Sequence, residues 1–322
     1  MTEDDGAALP LVIEEGVVPA TWLAREANVA WCPDSLVRSL PAEFLRSAAV
    51  EPGVLDARND TWRMMGASVR GRSHAHRAEH RDDAMAQLVT DELVLLAVAD
   101  GAGSSALSRV GAAVAAQMVV ERTAERFAGT AKGDIPSRLG TAMAHAVHDV
   151  ATRLHALAAI ADVSPSALRT TLILVAICGD MMLVSQVGDG AVLVERTDGS
   201  VVRVGAVRET AWAGEVNCFV PDSCSVTQAA ELRQVNTADV SLIALMTDGV
   251  DDPFHPLEQA ADALVAQWRC GTTTPIGTAR QSPAPGVLGN QPALLEWLSF
   301  EQRGEVDDRT LLLAWRDGVV AA

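Results

Sequence analysis

Four aspartate motifs, each beside an apolar run, are the residues of this chain best suited to do chemistry. Leu93–Ala99 (LVLLAVA) runs into Asp100-Gly101, and residues 183–187 (LVSQV) run into Gly188-Asp189-Gly190. Residues 242–246 (LIALM) run into Thr247-Asp248-Gly249, and Asp307-Asp308 stands just ahead of residues 310–315 (TLLLAW). An aspartate at the end of a buried strand is fixed at a sheet edge. Carboxylates gathered at one edge repel one another, and burial penalises each charge, unless a cation neutralises them. Hard divalent ions such as Mg²⁺ or Mn²⁺ are the usual partners of oxygen-only sites. The pattern predicts a metal-dependent enzyme whose ligands come from distant positions. Singly, each motif is also what a tight turn uses. Gly188-Asp189-Gly190 alone reads as a hairpin turn, and Asp82 alone as a solvated loop carboxylate.

Elements must hold these positions, and their order is readable. Residues 61–69 (TWRMMGASV) suit a strand. Residues 71–83 (GRSHAHRAEHRDD) read as a polar loop dense in Arg, His and carboxylate. After the strand Leu93–Ala99 and a Gly-rich turn, a helix is predicted over 107–127, where Gly111, Ala112, Ala113, Ala115 and Ala116 allow close packing on a sheet. A second helix is predicted over 137–157, opened by Pro136-Ser137. Strands follow at 171–177, Met181–Val187, 191–195 and Val201–Val204. The tight turns Gly179-Asp180 and 197–200 (TDGS) make hairpins, hence antiparallel pairing. Residues 205–235 read as irregular, 242–246 as a strand, 257–268 as a helix, 270–290 as a mobile Gly/Pro/Thr-rich stretch and 293–300 as a short helix. This order predicts an α+β layered fold with helices on the outer faces of hairpin-built sheets. Residues 1–60, with Trp22, Trp31, Pro33, Pro41 and Pro52, read as an N-terminal extension that packs on or tethers a main domain of residues 61–322.

Composition sets bounds. The 322 residues suffice for one large domain or two small ones, and 49% hydrophobic content supports a sizeable core. A net charge of −17 argues against a nucleic-acid or anionic-membrane partner, since both need a basic face. The opening MTEDDGAALP lacks a basic-plus-apolar leader, and no apolar run approaches the roughly 20 residues that span a bilayer. Cys32, Cys178, Cys218, Cys224 and Cys270 are odd in number and hold no CxxC pair. They read as free thiols of a reducing compartment, which makes the chain cytoplasmic in expectation.

The motifs in this order resemble the protein phosphatase 2C family. Val98-Ala99-Asp100-Gly101-Ala102-Gly103 is similar to its VADGxG, Val187-Gly188-Asp189-Gly190 to its VGDS/G turn, and Thr247-Asp248-Gly249 to its S/T-D-G. Asp307-Asp308-Arg309-Thr310 is similar to its D-[DN]-x-T ending, Thr170-Thr171 to its central Thr pair, and Asp82-Asp83-Ala84 to its acidic-Asp-Ala run. The resemblance spans roughly residues 61–315. It implies a four-layer α-β-β-α sandwich of two mainly antiparallel sheets, hydrolysing phosphoserine and phosphothreonine with two Mn²⁺ or Mg²⁺ ions, and a third in some members. Asp100 would bridge the ions, with the Gly101 carbonyl, Asp248 and Asp307 completing them. Asp83 and Asp82 would act directly or through coordinated waters, and Asp189 at the third position. The implied chemistry is in-line attack by a metal-activated water without a covalent intermediate. Two features depart from the family. No His lies in residues 101–109, so the general acid is unassigned. The phosphate-binding Arg is not singled out either. Arg77 and Arg72 are the candidates in the 70–83 loop, and His74 is a candidate acid or phosphate contact. Thr170 and Thr171 read as sheet-pairing residues. The resemblance implies a phosphorylated protein partner and an opposing Ser/Thr kinase. A pseudophosphatase serving as a binding module, or a hydrolase of small phosphoesters, are the alternatives. Residues 205–235, with Trp212 and Phe219, fall where members carry a flap beside the site.

Overall fold

The computed structural model describes residues 27, 29–129, 134–205, 218–270, 286–300, 302 and 304–316. Two short helices, α1 (Asp34–Val37) and α2 (Ala42–Ala48), precede the hairpin β1 (Gly53–Arg58) and β2 (Arg63–Val69). A short helix α3 (Arg72–Arg77) leads to a second hairpin, β3 (Ala84–Val89) and β4 (Leu93–Ala99). Two long helices follow, α4 (Ser108–Gly129) and α5 (Ile135–Ala161). The Asp134 side chain caps α5 by accepting from the Ser137 N–H, with Pro136 in the first turn. Then come β5 (Leu172–Cys178), β6 (Met181–Val187), β7 (Ala191–Arg196), β8 (Val201–Val204), α6 (Ser225–Ala229), β9 (Arg233–Asn236) and β10 (Val240–Met246). The short helix α7 (Asp248–Asp251), then α8 (Leu257–Cys270), α9 (Gln291–Leu298) and β11 (Arg309–Trp315) complete the described chain.

Two antiparallel sheets result, ordered β1-β2-β11-β10-β7-β8 and β3-β4-β5-β6-β9. Strands that are apolar at every position need cover on both faces, and alternation decides which residue meets which layer. On β4, Leu93, Leu95, Ala97 and Ala99 face α4 and α5, while Val94, Leu96 and Val98 face the other sheet. On β10, Leu242, Ala244 and Met246 face α8 and α9, while Ile243 and Leu245 face the middle. The architecture is the expected α+β four-layer sandwich. Gly111 lets α4 sit against the Leu168 carbonyl, where a Cβ would overlap that oxygen.

Several local readings are corrected. The stretch 71–83 is not a loop throughout. It carries α3, stopped by Ala78 in the left-handed conformation (φ 54°). Within this polar stretch His74, Arg81 and Asp83 are buried, because distant segments supply partners. Gly188-Asp189-Gly190 is not a hairpin turn. β6 and β7 belong to different sheets, so the turn carries the chain from one sheet to the other, with positive φ at both glycines. The last part of the predicted extension, Gly53–Arg58, is an edge strand paired with β2. The cysteines are not all free. Cys218 and Cys224 form a disulfide, brought together by the turn between Phe219 and Asp222 and the start of α6. Cys32, Cys178 and Cys270 are free thiols. Within 205–235, α6 and β9 are regular. Residues 206–217, with Trp212, and most of the 270–290 stretch lie outside the described residues. Among the described residues, no helix is long and apolar enough to cross a membrane.

Candidate metal centre

The four aspartate motifs meet at one end of the two central sheets. Asp100 follows β4 and is held through its backbone: its N–H donates to Thr171 Oγ1 (3.1 Å), and its carbonyl accepts from Thr170 Oγ1 and the Thr171 N–H (2.8 Å each). The Thr pair therefore fixes a site residue as well as pairing in the sheet. Asp189 sits on the crossing turn, packed between Thr171 and the end of β10. A Cβ on Gly188 would lie 2.8 Å from Thr171 Cγ2, and one on Gly190 2.6 Å from the Met246 carbonyl oxygen. Asp248 opens α7 and Asp307 precedes β11. α7 lies so close to the Asp307-Asp308 segment that a Cβ on Gly249 would overlap the Asp308 carbonyl oxygen.

Carboxylate oxygens of Asp100, Asp189 and Asp248 lie within 4.8 Å of one another. Burial raises the pKa of Asp100 well above the ordinary carboxylate range, and the charges of Asp248, Asp83, Asp307 and Asp189 raise it further. Asp248 is raised in the same way, by burial and then by Asp189, Asp307 and Asp83. Asp307 is raised by burial and by Asp308. Asp83 accepts from Thr247 Oγ1 (2.8 Å) and Thr310 Oγ1 (2.7 Å). Burial and the Asp308 charge still push its pKa up to about 7. Carboxylates that raise one another's pKa this strongly are what a divalent cation reverses, so the all-oxygen donor set fits Mg²⁺ or Mn²⁺.

The family model for protein phosphatase 2C matches residues 70–282, about two thirds of the chain. The chain belongs to the protein phosphatase 2C family. Among solved structures, a serine/threonine phosphatase of S. agalactiae aligns with a TM-score of 0.56 and 14% identity, over 80% of this chain and 100% of that one. Serine-threonine phosphatase 2C from Toxoplasma gondii aligns at 0.55 and 12%, over 83% and 100%. Serine/threonine phosphatase Stp1 from Staphylococcus aureus aligns at 0.54 and 12%, over 84% and 96%. These likenesses establish the shared fold. No curated protein matches by sequence.

Set on the protein phosphatase 2C fold, the 70–83 segment sorts its candidates. Arg77 is turned to Glu79 (2.6 Å) and Ser73 (2.5 Å) and is half exposed. Arg81 is buried against Glu51 and the Val50 carbonyl, tying the N-terminal segment down. Arg72 lines a small cavity with Arg70, Gly71, Val306, Asp307 and Arg309, beside a predicted metal ligand. His74 is buried, with Nδ1 3.0 Å from both Asp308 carboxylate oxygens and Nε2 3.7 Å from Asp82. Burial disfavours its charged form, but the Asp308 hydrogen bond and the charges of Asp308 and Asp82 outweigh that and raise its pKa to about 9. Asp82 accepts from Ser108 Oγ (2.7 Å), and burial raises its pKa. The Gly101 backbone pairs with Thr170 and lies against the Asp82 carbonyl, where a Cβ would stand 2.8 Å away.

Sequence reasoning passed over Asp308, which is buried and central. It accepts from the backbone N–H of Gly71 and of Asp82 and binds His74. It thereby ties three chain segments around Asp307, and a ring nitrogen of His74 and a carboxylate oxygen each of Asp307 and Asp308 lie within 4.8 Å of one another. The one available signal was its adjacency to Asp307.

Proposed function

We propose that this chain is a metal-dependent phosphoserine/phosphothreonine protein phosphatase, with residues 61–322, completed by β1, as its catalytic unit. The observation that carries the reading is the convergence of Asp100, Asp189 and Asp248 from three separate strand ends, with Asp307 and Asp83 interacting electrostatically with them. Asp100 would bridge two Mn²⁺ or Mg²⁺ ions, with the Gly101 carbonyl, Asp248 and Asp307 as further ligands. Asp83 and Asp82 would hold coordinated waters, and Asp189 would serve a third position. When bound, such ions lower the pKa of water and neutralise phosphoryl oxygens. The protein's own part is positional. The Thr170-Thr171 pair fixes Asp100, Thr247 and Thr310 fix Asp83, and Asp308 holds the 71 and 82 backbones against Asp307. Arg72, which lines the cavity beside Asp307, would be the phosphate contact, while Arg77 is turned to Glu79 and Ser73. His74, hydrogen-bonded to Asp308 and near Asp82, would donate a proton to the leaving oxygen. The partner would be a phosphorylated protein, opposed by a Ser/Thr kinase, in the cytoplasm.

The test is hydrolysis of a phosphothreonine peptide by the full chain, with Mn²⁺, with EDTA, and by Asp100→Asn with Mn²⁺. Phosphate release that needs Mn²⁺ and vanishes in Asp100→Asn is the expected result. A folded chain that binds Mn²⁺ by calorimetry without turnover would replace the enzyme by a regulatory binding module or a small-phosphoester hydrolase.

A further inference from the structure

Two of the ligand-bearing turns share a cation that the reading above does not use. Arg203 lies on the edge strand β8, opposite Leu193 of β7, and its side chain is only 9% exposed. Its Nη2 donates to the Gly190 carbonyl (3.1 Å) and to Asp251 Oδ2 (3.2 Å), while Nη1 lies 3.6 Å from Glu258 Oε1. Gly190 is the residue after Asp189, and Asp251 is the last residue of α7, which Asp248 opens. One guanidinium nitrogen therefore bridges the turn that carries Asp189 and the helix that carries Asp248. The Gly190 carbonyl has a second donor, Gln186 Nε2, at 3.3 Å, so Arg203 makes the shorter of the two bonds. A planar guanidinium suits this task because its donors sit in a fixed fork and its charge is permanent. An ammonium could donate to both partners but has no second nitrogen for Glu258 and no rigid plane, so it would fix their spacing less firmly.

We infer that Arg203 is a positioning residue for the metal centre: it clamps the Gly188–Gly190 turn to α7 and so sets the spacing of the Asp189 and Asp248 carboxylates. The inference rests on the metal-site reading but not on phosphatase turnover. Repulsion between the two carboxylates, whose oxygens lie within 4.8 Å, pushes the turn and α7 apart, and the Arg203 bonds oppose that separation. A partner one step behind a metal ligand is commonly worth about 10-fold to 100-fold in metal affinity.

The experiment is Mn²⁺ binding by calorimetry on the full chain, with thermal melting in EDTA beside it. Arg203→Met should weaken at least one Mn²⁺ association about 10-fold or more, and Arg203→Lys by less. Arg269→Met is the control. Arg269 is a largely buried arginine paired with Glu195 and Ser241, away from the cluster, so its loss should lower the EDTA melting temperature and leave Mn²⁺ affinity as in the wild type. Should Arg203→Met not fold, Asp251→Asn keeps an acceptor oxygen while removing the charge, and should weaken Mn²⁺ in the same direction. Wild-type Mn²⁺ affinity in the folded Arg203→Met or Asp251→Asn chain overturns the inference, whatever happens to melting. So does a wild type that binds no Mn²⁺. Arg203-dependent Mn²⁺ binding without hydrolysis of a phosphothreonine peptide would leave the clamp standing and sink only the proposed activity.

Discussion

Asp83 and His74 are held in the folded chain in protonation states that the unfolded chain would not keep. Asp83 keeps its proton to about pH 7, where a free aspartate loses it near 3.8. Between those values the folded state binds more protons than the unfolded state, so stability falls as pH rises. His74 acts in the same direction. Its folded pKa of about 9 lies above the ordinary 6.5, so its contribution is whole below 6.5 and lost as pH climbs through 9. Each proton held out of step contributes a slope of about 1.4 kcal/mol per pH unit at most. The EDTA-treated chain is therefore expected to melt at progressively lower temperature from pH 5 to pH 9. His74→Gln should flatten the limb above 6.5 and leave the lower limb in place. A melting temperature that stays level or climbs across this range would contradict the assignment. With Mn²⁺ present the trend should weaken or invert, because ligating carboxylates must be deprotonated and bound metal favours that form.

The elements act by bringing backbone against backbone, and two glycines separate packing from site geometry. At Gly111 an added Cβ would overlap the Leu168 carbonyl oxygen, between α4 and the turn before β5. At Gly249 it would overlap the Asp308 carbonyl oxygen, between α7 and the segment of Asp307. Both Gly→Ala variants should lose about 1–3 kcal/mol of stability in urea unfolding with EDTA. Gly249→Ala alone should also weaken Mn²⁺ binding, since the displaced segments carry Asp248 and Asp307. Equal Mn²⁺ affinity in the two variants would refute that division. The same level shows what the sequence could and could not reveal. The convergence of Asp100, Asp189, Asp248 and Asp307 was legible because each abuts an apolar run long enough to be a buried strand, and strand ends are where a sheet brings side chains together. Asp308 and Arg203 were not, because their roles depend on segments hundreds or tens of residues away in the chain. The crossing at Gly188–Gly190 was misread for a related reason. Short turns between strands suggest a hairpin, and nothing local tells which sheet the next strand joins. The Cys218–Cys224 bond escaped because a spacing of six matches no recognised pair. Since the other thiols differ in exposure, a native-state alkylation should label Cys270 first and Cys32 last, with Cys218 and Cys224 protected until reduction.

Across the described molecule, residues 29–58 are structurally continuous with the sandwich. Trp31, Cys32, Leu36 and Leu40 enter the core cluster formed by α4, α5 and the five-stranded sheet, and Trp31 packs edge-on against Phe44 at 6.0 Å. Polar ties reinforce it. Arg109 donates to the Trp31 carbonyl (2.6 Å), Arg153 to the Ser39 carbonyl, and Arg81 to Glu51. Removing residues 1–50 would expose the helix surface under these side chains, take the Trp31 and Ser39 carbonyls from Arg109 and Arg153, and leave Arg81 with Glu51 alone. Fully burying one large apolar side chain is worth about 1.5–3 kcal/mol, so losing Trp31, Leu36 and Leu40 together removes a large part of a domain's usual 5–15 kcal/mol margin. The truncated chain is expected to melt far below the full chain or to be insoluble. Leu36→Ala gives the graded version. Leu36 is fully buried, and its truncation should cost about 2–5 kcal/mol in urea unfolding. Mn²⁺ affinity, measured by calorimetry well below the melting temperature, should stay as in the wild type, because Leu36 lies on the outer helix layer and the carboxylates at the ends of the central sheets. The truncation is a harder case. Arg109 follows Ser108, whose hydroxyl donates to Asp82, so loosening the Arg109–Trp31 tie also loosens the start of α4 beside the site. A folded truncated chain should therefore bind Mn²⁺ more weakly than Leu36→Ala at matched stability. Equal affinities would show that the segment supports the core and does not reach the metal centre.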